Sequence, residues 1–243
     1  MRLFRLLLRK KQSKGHGIHS PFAFDIITNI LNSPYSYYAF TDIPDSLHYS
    51  PDCPPYSSNG LPNSKEESKK IKKLNHISFR LVNHFKATNI LEINPGKGIN
   101  TLYIKAPSSK INYNSISGID SFVNSLIIEA EGVNAGRVDT AKLNATDINV
   151  AKDSVEELFA TKIKYDAIFI NINEDENSIP SIEWLLDISH ENTFWVINPI
   201  NINQSKHFCQ LIVNHERVTV TFDTNNTLIV FFRQSYHKHH YFV

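Results

Sequence analysis

Cysteine is almost missing from this chain. Cys53 and Cys209 are its only two, and their separation argues against a disulfide framework or a thiolate metal cluster, so the protein reads as cytosolic, a cytoplasmic protein. Surplus charge is missing too. A formal net charge of +1 creates no field to gather a polyanion, which argues against nucleic-acid binding by general electrostatics. No apolar run approaches the ~20 residues of a membrane-spanning helix, and no internal repeat is visible.

With 243 residues, 41% of them hydrophobic, the chain can bury a sizeable core as one α/β domain with an extension ahead of it. That extension opens with Leu3, Phe4, Leu6, Leu7 and Leu8 among Arg2, Arg5, Arg9, Lys10 and Lys11. Arg5 interrupts the apolar run and no small-residue cleavage site follows, so a signal peptide is a poor fit. The pattern allows peripheral contact of residues 1–11 with an anionic membrane surface. The favoured expectation is a helix that packs its leucine face on the domain.

Ser20 before Pro21 is an N-cap with proline at the first helical position, predicting a helix over 22–31 with Phe22, Phe24, Ile27 and Leu31 as its stripe. His19, beside that cap, is expected to be structural rather than substrate-facing. Residues 33–63, rich in Pro, Ser, Tyr and Asp, form a loop or lid with one short helix near 35–40. Its Tyr35, Tyr37, Tyr38, Phe40, Tyr49 and Tyr56 either cover an acceptor pocket or only the domain's flank.

Ser64 and Glu67 form a capping box, after which Ile71, Leu74, Ile77, Leu81, Val82 and Phe85 recur at helical spacing. Strands and helices then alternate. Strands are expected over 90–93, 139–145, 165–171 and 194–198, with helices from 101 and over 121–131, 151–160, 179–189 and 207–213. A hairpin over 218–223 and 228–232 closes the pattern. Such alternation predicts a mostly parallel sheet.

The richest stretch is Ile90-Leu91-Glu92-Ile93-Asn94-Pro95-Gly96-Lys97-Gly98-Ile99-Asn100-Thr101. An apolar strand runs through an acid into a glycine-bearing turn, where bare backbone can approach a polar or anionic ligand. About 20 residues later Asp120 ends a second short run, the offset at which a βαβ unit holds ribose hydroxyls. A nicotinamide site needs glycine where Thr101 stands, which disfavours an oxidoreductase.

Glu92, Gly98 and Thr101 resemble motif I of the class I S-adenosylmethionine-dependent methyltransferases, in its ExGxxxGxST form. Asn94 replaces the first glycine and Asn100 the serine, and an Asn can adopt the left-handed conformation a glycine would supply. The N-terminal GxHSPFxFD and the terminal VTVTFD, LIVFFR and HHYFV segments resemble a bacterial O-methyltransferase-like family of this class. The resemblance implies an α/β, Rossmann-like class I methyltransferase sheet over 64–243, ending in an antiparallel hairpin, with residues 1–63 as a helical extension and lid. It also implies S-adenosyl-L-methionine as cofactor and a small-molecule acceptor. Glu92, Asn94, Gly96 and Gly98 would meet the donor's polar end with Thr101 beside them, Asp120 its ribose and Asp147 its adenine, with Asn171 at the end of the fourth strand of that fold.

Family members often carry acids at the ends of their fourth and fifth strands. Here Asn171 and Asn198 stand there, so no hard-ligand metal site is expected. The tail His237, His239 and His240 is likewise not expected to hold a metal. Candidate bases are Glu174, Asp175 and His19, none of them specific. The four asparagines at 94, 100, 171 and 198 leave a second reading open, a methyltransferase fold that has lost catalysis and serves as a binding or scaffold module.

Overall fold

The computed structural model describes residues 2–49, 65–116, 163–172 and 179–243. The Ser64 cap, the expected elements over 121–131, 139–145 and 151–160, and Cys53, Tyr56, Asp120, Asp147, Glu174 and Asp175 lie outside the described residues.

β1 (Asn89–Ile93), β2 (Asn112–Ile116), β3 (Tyr165–Asn171) and β4 (Ser189–Asn198) are parallel, in the order β2-β1-β3-β4. β6 (Leu228–Phe231) runs antiparallel between β4 and β5 (Val220–Asp223), and β7 (His239–Phe242) adds to β5 in parallel. The result is a seven-stranded sheet, β2-β1-β3-β4-β6-β5-β7, in which β6 alone opposes the others. This mostly parallel sheet with one antiparallel strand near its end is the class I methyltransferase arrangement. β2 precedes most of the second run expected to end at Asp120, of which only Ile116 is among the described residues, and Ile116 is the one buried residue of the strand. At the start of the strands, Asp166 Oδ2 accepts from the Thr88 and Asn89 amides at 2.8 and 2.9 Å, which ties β1 to β3. Burial raises this carboxyl's pKa, but those hydrogen bonds outweigh it and hold the group below its ordinary value.

Alternation along the strands makes two apolar faces. One carries Ile90, Phe169, Phe194, Val196, Phe222 and Ile229 beneath α4 (Lys65–Phe85) and residues 23–31. The other carries Leu91, Ile168, Ile170, Trp195, Ile197 and Val230 beneath α6 (Ile182–Asp187) and α7 (Asn203–Asn214). The expected helix over 179–189 is shorter because Ser189 already opens β4. α5 (Ile99–Lys105) follows the glycine turn.

The N-terminal segment joins the first face. Ser20 Oγ accepts from the Ala23 amide at 3.2 Å, capping α2 (Pro21–Asp25) with Pro21 at its start. The helix continues as a π-helical stretch, Ile26–Leu31. Its wider i→i+5 winding shifts the phase of the stripe. Ala23, Ile26, Ile27, Ile30 and Leu31 are buried, whereas Phe24, expected inside, is exposed and lies over Gly15. Gly15, at φ +77°, could not carry a side chain, because a Cβ there would stand 2.8 Å from the Phe24 ring.

Two further expectations are corrected. The short helix near 35–40 begins later, as α3 (Ala39–Tyr49). The leucine face of α1 (Arg2–Gln12) does not pack on the domain: Phe4, Leu6 and Leu7 are 66, 57 and 60% exposed. Polar contacts hold the helix instead. Arg9 donates to the Asp223 and Val243 carbonyls at 2.6 and 2.7 Å and pairs with the Asp223 carboxylate at 2.9 Å, while Gln12 Oε1 accepts from the Phe242 amide at 2.8 Å. Arg5 and Arg9 also lie over the Phe242 ring.

Candidate functional site

The site forms at the carboxyl end of β1, between β2 and β3, where connections leave the sheet in opposite directions. Open α/β sheets bind ligands at such a point. Asn94 leaves β1 at φ 55°, in the left-handed region, so the asparagine does take the conformation a glycine would supply. Gly96 and Gly98 follow at φ 60° and 72°, and Gly98 caps α5. A Cβ on Gly96 would meet nothing within 4 Å, so this turn presents bare backbone to open space.

Glu92 lies two residues before Asn94, within β1, and is fully buried. Its Oε2 accepts from Thr101 Oγ1 at 2.6 Å and Tyr113 OH at 2.8 Å, and its Oε1 from the Asn100 and Asn171 amides, both at 3.4 Å. A buried carboxylate is tolerable only with such a set of donors. Burial, reinforced by the Glu92 charge, pushes the Tyr113 hydroxyl up to about 12, which keeps it a donor at any ordinary pH. Asn94 Nδ2 donates to the Asn171 carbonyl at 3.1 Å, and its amide donates to the Ile116 carbonyl at 2.7 Å. The turn is thereby tied to both neighbouring strands.

The structure thus brings Glu92, Asn94, Gly96, Gly98, Thr101 and Asn171 together around one turn. Glu92, Thr101 and Asn171 hold one another. The local pattern marked Glu92 and Thr101 without showing that Tyr113 and Asn171 close the cage, and Tyr113 escaped it entirely. One further group faces no partner: Asn100 Oδ1 is buried without a hydrogen bond among the described residues.

Asn198, at the end of β4, is also engaged. Its Oδ1 accepts from Asn226 Nδ2 at 2.8 Å and Thr227 Oγ1 at 3.3 Å, which fastens the β5–β6 turn to the strand end. Among the described residues no group of three or more His, Cys, Asp or Glu gathers as metal ligands. In the tail, His240 Nδ1 meets Thr221 Oγ1 at 2.6 Å and His239 packs on Tyr241. His19 is exposed beside the α2 cap. Of the lid aromatics, Tyr37 and Phe40 pack with Phe79 and Tyr103 between α4 and α5, while Tyr35 and Tyr38 are exposed.

No known family description matches this sequence, and no curated protein matches it. Solved structures similar to it include an O-methyltransferase from Bacillus cereus in complex with SAH, at 20% identity over 81% of this chain and 91% of the other, with a TM-score of 0.45. The SAH-bound Podospora anserina methyltransferase PaMTH1 is 13% identical over 83% of this chain and 90% of its own, at a TM-score of 0.45. The O-methyltransferase TomG from Streptomyces achromogenes, in complex with SAM, is 16% identical over 81% and 89%, at 0.42. At these values the likenesses carry no argument, and the fold rests on the strand order and directions given above. Among the described residues no helix is long and apolar enough to cross a membrane.

Proposed function

We propose that the chain is an S-adenosylmethionine-dependent methyltransferase that works without a metal on a small-molecule acceptor not yet identified. The observation that supports it is the turn after β1. Three alternate positive-φ positions, Asn94, Gly96 and Gly98, leave backbone open to a ligand at the point where the sheet changes direction. The residues fit the donor. Gly96 and Gly98 leave room for its polar end, and the orphaned Asn100 Oδ1 is an acceptor for its ammonium group. Asp120 follows in the chain at the ribose offset. Bound there, the donor supplies a methyl group on a sulfonium, and the protein's task is to align the acceptor in line with it and exclude water. Asn171 and Asn198 offer no anionic oxygen at the two strand ends, which is the ground for a metal-free reaction.

One observation favours the second reading, a methyltransferase fold kept for binding or scaffolding. Glu92 is spent on the protein's own donors and the Asn198 oxygen on the β5–β6 turn. Calorimetric titration with S-adenosylhomocysteine separates the two. Binding is expected, weakened about 100-fold in Asp120→Ala by loss of a charged pair of hydroxyl contacts. Magnesium titrated into the complex should give no binding heat. Absence of both heat and thermal stabilisation with the nucleoside would leave the scaffold reading, and saturable magnesium binding would overturn the metal-free one.

A further inference from the structure

Two faces of α1 have different fates. Arg5, Arg9 and Gln12, spaced i, i+4, i+7, face the carboxyl ends of β5 and β7 and make the polar and cation–π contacts that hold the helix. Phe4, Leu6 and Leu7 turn outward, and Lys10 and Lys11 follow them by one turn. Large apolar side chains on a helix with no Asp or Glu, bordered by cations, are the composition of a helix lying in a membrane interface.

The neighbouring surface continues this charge. A cavity of about 520 Å³ between α1, α4 and the β5–β6 turn is lined by Leu6 together with Arg9, Lys10, Lys70 and Lys73. Arg9 is answered by Asp223 and Lys70 by Glu66. Among the described residues no carboxylate lies within ion-pair distance of Lys10, Lys11 or Lys73. Burial of its ammonium, and then the Arg9 charge, lowers the Lys73 pKa. A protein of net charge +1 therefore gathers uncompensated cations around three exposed apolar side chains.

We propose that this face docks on an anionic lipid surface, with Phe4, Leu6 and Leu7 entering the headgroup boundary and Lys10, Lys11 and Lys73 meeting lipid phosphates and carboxylates. Charge complementarity selects lipid over an apolar partner surface: each cation near an anionic bilayer contributes about five-fold in affinity, and the attraction falls with salt. The contacts inside α1 stay intact, so the docked helix remains part of the fold. This inference does not depend on donor binding.

The test is co-sedimentation of the full chain with vesicles of phosphatidylcholine alone or mixed with phosphatidylserine. Sedimentation with the mixed vesicles at low salt is expected, reduced by added salt and absent from phosphatidylcholine. Lys10→Ala/Lys11→Ala should weaken it about 25-fold. Phe4→Ser/Leu7→Ser should abolish it with an unchanged melting temperature, since both side chains are mostly exposed and neither makes the polar contacts that hold α1. Failure of the natural chain to sediment with the mixed vesicles, or equal sedimentation of the serine variant, overturns the proposal. So does a dimer by ultracentrifugation that dissociates in the serine variant, which would show that a second copy covers the face.

Discussion

Glu92 illustrates how a residue can be marked by its sequence and yet have its role decided elsewhere. In the motif it stands where a donor contact is expected, but the folded chain surrounds its carboxylate with Thr101, Tyr113, Asn100 and Asn171. Tyr113 and Asn171 come from 21 and 79 positions away, beyond the reach of any local pattern. Removing the acceptor leaves buried donors facing nothing, at ~1–3 kcal/mol each. Glu92→Ala should therefore lower unfolding stability by about 3 kcal/mol in chemical denaturation, with Glu92→Gln falling between. An unchanged denaturation midpoint would mean that the cage does not hold the turn. Asn94 is the opposite case. A single residue and its known tolerance of positive φ were enough to anticipate its conformation.

Among the elements, the junction of α3, α4 and α5 turns on His76. Its ring stacks on Phe40 at 3.7 Å and 5°, Arg80 lies over the same Phe40 ring at 5.3 Å, and its Nε2 is buried without a hydrogen bond among the described residues. Burial, then the charges of Arg80 and Lys72, lowers its pKa to about 4 from 6.5. Between those values the unfolded chain binds a proton that the folded chain refuses, so this group makes stability fall as pH drops from about 6.5 toward 4. Thermal melts at pH 7 and pH 5 should show a smaller loss in His76→Phe than in the natural chain. Equal losses would place the acid sensitivity elsewhere. The α4 periodicity forecast a buried stripe, and Leu74, Ile77, Leu81 and Val82 are buried, but Ile71 at its start is 38% exposed and Phe85 at its end is half-buried. It could not forecast His76, because a histidine on a helix is placed by what stacks on it, here Phe40 from a segment distant in sequence and expected only as a loop with one short helix.

For the molecule as a whole, β1, β3, β4 and the β5–β6 hairpin were legible because each carries a run of buried apolar residues, and α4 because of its stripe, whereas β2 and β7 each bury a single residue and gave no such run. What escaped were the terms set by distant partners. The outward leucines of α1 look like a core face in isolation, and only Asp223, Phe242 and Val243 decide that its polar side turns inward. The π-helical winding after Asp25 likewise changes the phase of the buried stripe without changing composition.

The clamp at Arg9 also bears on the order in which the chain folds. Its partners stand 214 and 234 positions away, so the contact closes a loop of nearly the whole chain. The closure entropy itself grows slowly, about 0.6 kcal/mol per doubling of length. The target, however, does not exist until β5 and β7 have paired, because Arg9 reads the carbonyls at both their ends. α1 should therefore dock last and detach first, as a separate opening event below the free energy of global unfolding. Native-state hydrogen exchange would register this as α1 amides exchanging ahead of those in β3 and β4, and simultaneous exchange would count against it. While α1 is away, the Phe242 amide on the last strand is uncovered, so the time the helix spends detached sets how long that edge can recruit a foreign strand.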